Sequence, residues 1–401
     1  MIQRLALAAI ATLALAACSE GPVSVPDAPA APRKYIVVFH DDAFPAPRLS
    51  ASQAITDYAR GHGAAPRFVY TAVLEGFAAE LTDAQLAALR VDPRVAYVEE
   101  DAAAQIFTTQ LFPTWGIDRI DEPDLPLSST FTYTSTGAGV RAYVLDTGVR
   151  RTHQQFGGRA AYIANGAANG DFVGDGHGSA EDCHGHGTHV SGTIGGVGYG
   201  VAKGVLIRAG RVVDCLGNGN ASMAIAAMDW VRLNGIKPAV VNMSLGYGDV
   251  QAVRDAAASL VSAGFFVAAA AGNGDFAGTP QNACLQSPGG ASTVMTVGAT
   301  TSSDHESSFS NYGSCVDILA PGSSITSALH TSDTASGLKS GTSMAAPHVA
   351  GVAALYLESH PLAAPWIVTA ALKGSATSGT ITLNGISALT GTPNLFLFTS
   401  Y

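Results

Sequence analysis

From about residue 140 onward the chain alternates short, unbroken apolar runs with longer stretches in which apolar residues return every third or fourth position. The runs 140–145, 206–213, 239–244 and 265–271 have the continuous hydrophobicity of strands covered on both faces, and 221–233 and 251–263 have the helical period. Such alternation implies a doubly wound parallel sheet, an α/β architecture in which chemistry gathers where strands end and helices begin. The preceding segment is patterned differently. Positions 34–39, 67–73, 76–81 and 95–98 read as strands and 51–60 as a helix, while Thr82-Asp83-Ala84-Gln85 is a capping box opening a second helix that ends near Val91. This βαββαβ order predicts a small α+β domain of the split-βαβ, ferredoxin-like type.

The first 33 residues belong to neither pattern. Residues 1–18 combine a short basic start containing Arg4, an apolar stretch too short to span a bilayer, and Leu15-Ala16-Ala17-Cys18, the small-residue ending of an export signal. This ending resembles the bacterial lipoprotein box, which would put a lipid, and with it any membrane attachment, on Cys18. Pro22, Pro26, Pro29 and Pro32 mark 19–33 as an extended tether. The expected organisation is signal 1–18, tether 19–33, small domain 34–107 and large domain 108–401. A net charge of −10 argues against a nucleic-acid partner, and a monomer is expected. Apart from Cys18, Cys183, Cys215, Cys284 and Cys315 form an even set suited to disulfides in an oxidising compartment, with three pairings open.

Three motifs turn the picture from architecture to chemistry: VLDTGV at 144–149, GHGTHVSGT at 185–193 and SGTSMAAPHVAG at 340–351. A serine hydroxyl is a weak nucleophile, so Ser343 needs a neutral imidazole within about 3 Å to take its proton, and His186 is the candidate. That imidazole needs a carboxylate on its other nitrogen, which Asp146 at the end of an apolar run would supply rigidly. A helix-like stretch, 344–358, follows Ser343, so the Ser343 N–H would face developing negative charge from a helix N-terminus. Asn273, just beyond the run 265–271, would be a second, side-chain donor to an oxyanion. Competing readings are weaker. His184, His186 and His189 crowd with Asp182 and Cys183 as metal ligands would, but without the spacing of H-E-x-x-H. No G-x-S-x-G elbow is present, and GVGYG at 196–200 lacks the third spaced glycine of a dinucleotide loop. A peptide-binding scaffold without activity has no feature in its favour while all four chemical positions are filled.

Together with Ala271-Gly272-Asn273 and GVAKGVLIRAGRVVDCLGNG at 200–219, these motifs resemble the subtilisin family of serine endopeptidases, in its proteinase K and aqualysin branch. The resemblance implies an Asp146–His186–Ser343 triad acting through an acyl-enzyme, Asn273 as oxyanion donor, His189 as a packed structural residue and no cofactor for catalysis. It implies disulfides Cys183–Cys215 and Cys284–Cys315. Protein and peptide substrates would pair with Gly217, Asn218 and Gly219 and with Ser244, Leu245 and Gly246 as an added strand. Ala270, Ala271 and Gly272 would line an uncharged pocket for apolar or aromatic residues, with Tyr247 at the rim where the family has a small residue. A structural calcium ion would be held by the carbonyls of Ser292 and Val294 and by Asp317. The domain 34–107 is similar to the family's inhibitory propeptides, so the chain would be an exported zymogen that cuts itself near 107–108 and leaves the lipid of Cys18 behind. TPNLFLF at 392–398 resembles the end of the family's catalytic domain, so no appended module is expected.

Overall fold

The computed structural model of the chain describes residues 32–41, 43–44, 48–102, 108–166, 169–275 and 277–401. Cys18, the tether up to residue 31 and Phe107 at the expected cleavage bond lie outside them. The chain divides into two compact units between Ala104 and Gln105, three residues before the boundary expected from the sequence.

In the first unit β1 (Arg33–Phe39), α1 (Arg48–Gly61), β2 (Phe68–Thr71), β3 (Glu75–Leu81), α2 (Asp83–Arg90) and β4 (Val95–Glu100) follow in the predicted order. The strands form an antiparallel sheet ordered β2-β3-β1-β4, as in a ferredoxin-like fold. Alternation along β1 sends Tyr35, Val37 and Phe39 into a core with Ile55, Phe77, Leu81 and Leu89. The capping box closes as read: Thr82 Oγ1 accepts from Gln85 N at 3.3 Å, and Gln85 Oε1 accepts from Thr82 N at 2.8 Å.

The second unit begins with β5 (Thr108–Leu111), α3 (Trp115–Ile120), β6 (Thr130–Tyr133), β7 (Arg141–Asp146), β8 (Ala161–Tyr162), α4 (His186–Gly195) and β9 (Leu206–Arg211). It continues with α5 (Ala221–Asn234), β10 (Ala239–Met243), α6 (Gln251–Ser262), β11 (Phe266–Ala270), β12 (Met295–Thr300), β13 (Ile318–Pro321), β14 (Ile325–Ala328) and β15 (Ser336–Lys339). Last come α7 (Thr342–Ser359), α8 (Pro365–Ser375), β16 (Thr377–Ser378), α9 (Gly385–Leu389) and β17 (Leu395–Phe396). The main sheet runs β16-β17-β13-β12-β11-β10-β7-β9-β8 and is parallel except at β16.

β9 and β10 flank β7 on opposite sides, so the connections leave β7 in opposite directions and open a crevice at its carboxyl end, where Asp146 stands. The unbroken apolar runs have their cause here, because every residue of β10 and β11 is buried between helical layers. The layer of α4 and α7 lies on one face, and α7, apolar around nearly its whole circumference, is buried from Thr342 to Leu355. Cys183–Cys215 and Cys284–Cys315 are bonded, at sequence separations of 32 and 31. Loops of that length stabilise by roughly 3–4 kcal/mol each through restriction of the unfolded chain.

Candidate active site

Asp146 closes β7 and His186 opens α4. His186 Nδ1–H donates to Asp146 Oδ1 at 2.7 Å, and the same oxygen accepts the backbone N–H of Thr147 at 2.7 Å. The Asp146 side chain is 2 % exposed and that of His186 23 %, so the pair presents only the imidazole to solvent. Burial by itself would lower the basicity of His186, but the Asp146 charge and hydrogen bond outweigh it and hold the pKa above its ordinary value. The turn that delivers His186 is built by Asp182, a role its local sequence does not signal. Asp182 Oδ1 accepts Thr147 Oγ1 and the N–H groups of His184 and Gly185, and Oδ2 accepts Thr188 N and Thr188 Oγ1. Only glycine fits at position 187, where a Cβ would lie 2.1 Å from Gly148 O.

Ser343 is the second residue of α7, because the helix starts at Thr342, two residues earlier than the sequence suggested. Its hydroxyl donates to Ser244 O at 3.1 Å, while Ser244 Oγ donates to Ser343 O at 2.8 Å and accepts from Asn242 Nδ2 at 2.9 Å. The expected contact with His186 is not made in this resting geometry. The hydroxyl rotor has instead taken the Ser244 carbonyl, an acceptor with no other partner among the described residues. Asn273 Oδ1 accepts Thr342 N at 2.7 Å and Thr342 Oγ1 at 2.9 Å. A backbone N–H can only donate, so the amide orientation is fixed and Nδ2 keeps both hydrogens for another acceptor. The loop beneath is wired by the buried Asn311, whose Oδ1 accepts Gly274 N and Gln281 N and whose Nδ2 donates to Ala271 O. Gly272, at φ +99°, lies so close that a Cβ would sit 2.4 Å from Asn311 Nδ2.

Two cavities hold these groups. One of about 560 Å³ is lined by Asp146, His186, Gly217, Asn218, Gly219, Ser244, Leu245 and Gly246, with His184 and Tyr247. The other, about 530 Å³, is lined by Ala270, Gly272, Asn273 and Ser343 and shares Leu245 and Gly246 with the first. Ala271 lines neither; it is fully buried in the core. An apolar cavity of about 550 Å³ opens among Pro238, Ala239, Phe266, Leu357 and Trp366, at the strand starts of β10 and β11 and so at the other end of the sheet from Asp146.

The possible metal donors separate into three cases. Around His186, Cys183 is bonded to Cys215, Asp182 is consumed by five hydrogen bonds, and His189 turns away to Ile325 O and Gly337 O, its pKa pushed down to about 4 by burial. That set does not fit a metal. At the expected calcium site, Asp317 Oδ2 accepts Thr296 N at 2.9 Å and Oδ1 accepts the Lys373 ammonium at 3.0 Å. The charge a calcium ion would neutralise is already neutralised, so Ser292, Val294 and Asp317 do not fit the ion while Lys373 stands there. Lys373→Met is expected to destabilise the protein by up to about 1 kcal/mol in calcium-free buffer and to make its Tm rise on adding calcium. A wild-type Tm that rises with calcium and loses that rise on Asp317→Asn would show an ion displacing the lysine. The third set was not read from the sequence: Asp118, Asp121 and Glu122 bring carboxylate oxygens within 4.8 Å of one another. Burial, with Glu122 and Asp118 adding repulsion, pushes Asp121 up to about 7, and such an all-oxygen set is the kind hard cations take.

Residues 137–392 match the subtilase family, and residues 34–107 match the peptidase inhibitor I9 family. An extracellular serine proteinase of Thermus sp. (strain Rt41A) is 47 % identical over 97 % of this chain and 97 % of its own length. Proteinase T of Parengyodontium album is 44 % identical over 65 % of this chain and 86 % of its own. The crystal structure of a cold-adapted subtilisin-like serine proteinase aligns with TM-score 0.66 and 44 % identity, covering 72 % of this chain and 99 % of that one.

Proposed function

This chain belongs to the subtilase family, and from that premise we propose that Asp146, His186 and Ser343 form its catalytic triad, with Asn273 Nδ2 and the Ser343 N–H as the oxyanion donors. The enzyme is a subtilisin-like serine endopeptidase with an I9 inhibitor domain ahead of the catalytic domain. The observation that carries the assignment is the 2.7 Å Asp146–His186 bond opening onto the cavity whose Ser244 is hydrogen-bonded to Ser343.

A bound peptide pairs its main chain with 217–219 and 244–246. The Ser343 hydroxyl then exchanges the Ser244 carbonyl for His186 Nε2, a bond that tightens only in the substrate complex. As Oγ attacks the scissile carbonyl carbon, its proton passes to Nε2, and Asp146 stabilises the imidazolium without taking the proton. The carbonyl oxygen, now anionic, accepts from Asn273 Nδ2 and from the backbone N–H of Ser343 at the start of α7. Collapse hands the proton to the leaving amine and leaves an acyl-enzyme, which water cleaves by the same route. A serine-directed fluorophosphonate should label the processed protein on Ser343 with loss of fluoride, and labelling at another residue would overturn the assignment. Asn273→Ala is expected to lower kcat by roughly 100–1000-fold with KM little changed, the size such a loss has in subtilisin; steady-state kinetics on a chromogenic peptide reads it.

The I9 domain supports a zymogen in which residues 34–107 inhibit the enzyme until self-cleavage, and the extracellular relative and the signal-like 1–18 segment support export. The lipid expected on Cys18 would remain with the leader. Ala270 and Gly272 give an apolar wall that favours cleavage after apolar or aromatic residues, although the pocket is not uncharged as expected from the sequence, since Asp275 also lines it, beside the polar Gln281 and Gln286.

A further inference from the structure

The helix that carries Ser343 has a proline inside it. α7 starts at Thr342, and Pro347 stands four positions after Ser343. In an α-helix the N–H of residue i+4 bonds the C=O of residue i, so the donor due to Ser343 O is one that proline lacks, and the proline ring also crowds that carbonyl outward. The loss falls on the residue that carries the attacking hydroxyl. Ser343 is only 9 % exposed, and a buried acceptor without a donor is costly.

A side chain from another element takes up the freed carbonyl. Ser244 Oγ, just past the end of β10, donates to Ser343 O at 2.8 Å. A hydroxyl has one hydrogen and Ser343 O can only accept, so that hydrogen is spent there, and Asn242 must meet Ser244 Oγ with its NH₂, at 2.9 Å. The three groups form a directed chain from Asn242 Nδ2 through Ser244 Oγ to Ser343 O. Asn242 and Ser244 are both buried, which shields the chain from competing water.

We propose that Ser244 is a positioning residue whose hydroxyl replaces the helical donor that Pro347 removes, and so fixes the backbone of Ser343 against the segment 244–246. The inference rests on Ser343 being the nucleophile and adds to that reading what holds the nucleophile in place. On the amino side, Asn273 Oδ1 holds Thr342 N and Thr342 Oγ1. On the carboxyl side, Ser244 Oγ holds Ser343 O. Between these two ties lie the Ser343 N–H and Cα, which aim the oxyanion donor and Oγ. The other contact of the two serines, from Ser343 Oγ to Ser244 O, is given up when the hydroxyl turns to His186. The Ser244 Oγ bond involves no atom that reacts and persists through the chemistry, where small displacements of the attacking group are expensive.

The test is a double-mutant cycle on the self-processed enzyme, read as kcat and KM on one chromogenic peptide. Ser244→Ala removes the hydroxyl and leaves the main chain that pairs with substrate, so kcat is expected to fall about tenfold, worth about 1.4 kcal/mol in the barrier, with KM changed by less than about twofold. Pro347→Ala returns an N–H to position 347 and with it the helical donor for Ser343 O, so in that background Ser244→Ala should lower kcat by no more than about twofold. Asn242→Ala, which frees the Ser244 hydroxyl to rotate without removing it, should give a smaller fall that Pro347→Ala likewise erases. A hydroxyl that only packs, or that serves substrate directly, would cost the same in both backgrounds. Equal losses in the two backgrounds, or a kcat unmoved by Ser244→Ala in the wild type, would overturn the positioning role and leave the endopeptidase standing. Cleavage of no peptide by the wild type would overturn both.

Discussion

Ser343→Ala should leave a folded precursor that keeps residues 34–107 attached, takes up no fluorophosphonate and hydrolyses peptides roughly a million-fold more slowly, the size this loss has in subtilisin. The fold should survive because the hydroxyl makes one hydrogen bond, to Ser244 O, while the Cβ that alanine retains supplies the packing at the start of α7. The chemical loss is large because the neighbouring hydroxyls among the described residues, those of Ser244 and Thr342, are each committed, to Ser343 O and Asn273 Oδ1. Wild type and variant expressed side by side, sized and N-terminally sequenced, give the answer. A variant that removes its own leader at the wild-type rate would refute Ser343 as the nucleophile.

Asp146→Asn should cost about ten-thousand-fold in kcat at neutral pH, the size of the same change in another triad protease. Asp146 Oδ1 accepts both Thr147 N–H and His186 Nδ1–H. An asparagine can turn its NH₂ toward Nδ1, which drives the imidazole proton to Nε2 and leaves no lone pair there to receive the Ser343 proton. The wild-type profile carries the complementary sign. Only neutral His186 is a base, and its pKa lies above the ordinary 6.5 because Asp146 favours the charged form. Activity should therefore rise with pH through a midpoint above that value, and the residual activity of Asp146→Asn, processed in trans by wild type, should rise through a lower one. A wild-type midpoint below 6.5, or an unchanged midpoint in the variant, would contradict the pairing.

The elements that carry these groups were legible because they are deep. β7, β10 and β11 are sandwiched between helical layers, so burial on both faces wrote unbroken apolar runs into the sequence. The capping box at Thr82 was legible because both partners lie within four residues. The antiparallel ribbons β5–β6 and β14–β15 were not read as strands, since each strand is only four residues long and all but the mostly buried β14 are largely exposed or part-exposed, too short to leave a period. Distance hid the rest. Lys373 reaches Asp317 across 56 residues, Asn311 holds the Asn273 loop from 30 to 40 residues away, and both are ordinary polar residues in their local sequence.

By itself, then, the order of residues determined which chemical types exist and on what kind of element some are mounted: a carboxylate ending a strand, an alcohol before a helix, cysteines in even number; that the imidazole opens a helix came from the fold. Folding alone decided which partner each polar atom meets. It gave the Asp182 carboxylate five donors, the Ser343 hydroxyl the Ser244 carbonyl and the Asp317 charge a lysine. Hydrophobic burial is additive along the chain and leaves a periodic trace, whereas a hydrogen bond is satisfied only within about 3 Å and 30–60° of its ideal direction, and no local pattern encodes that.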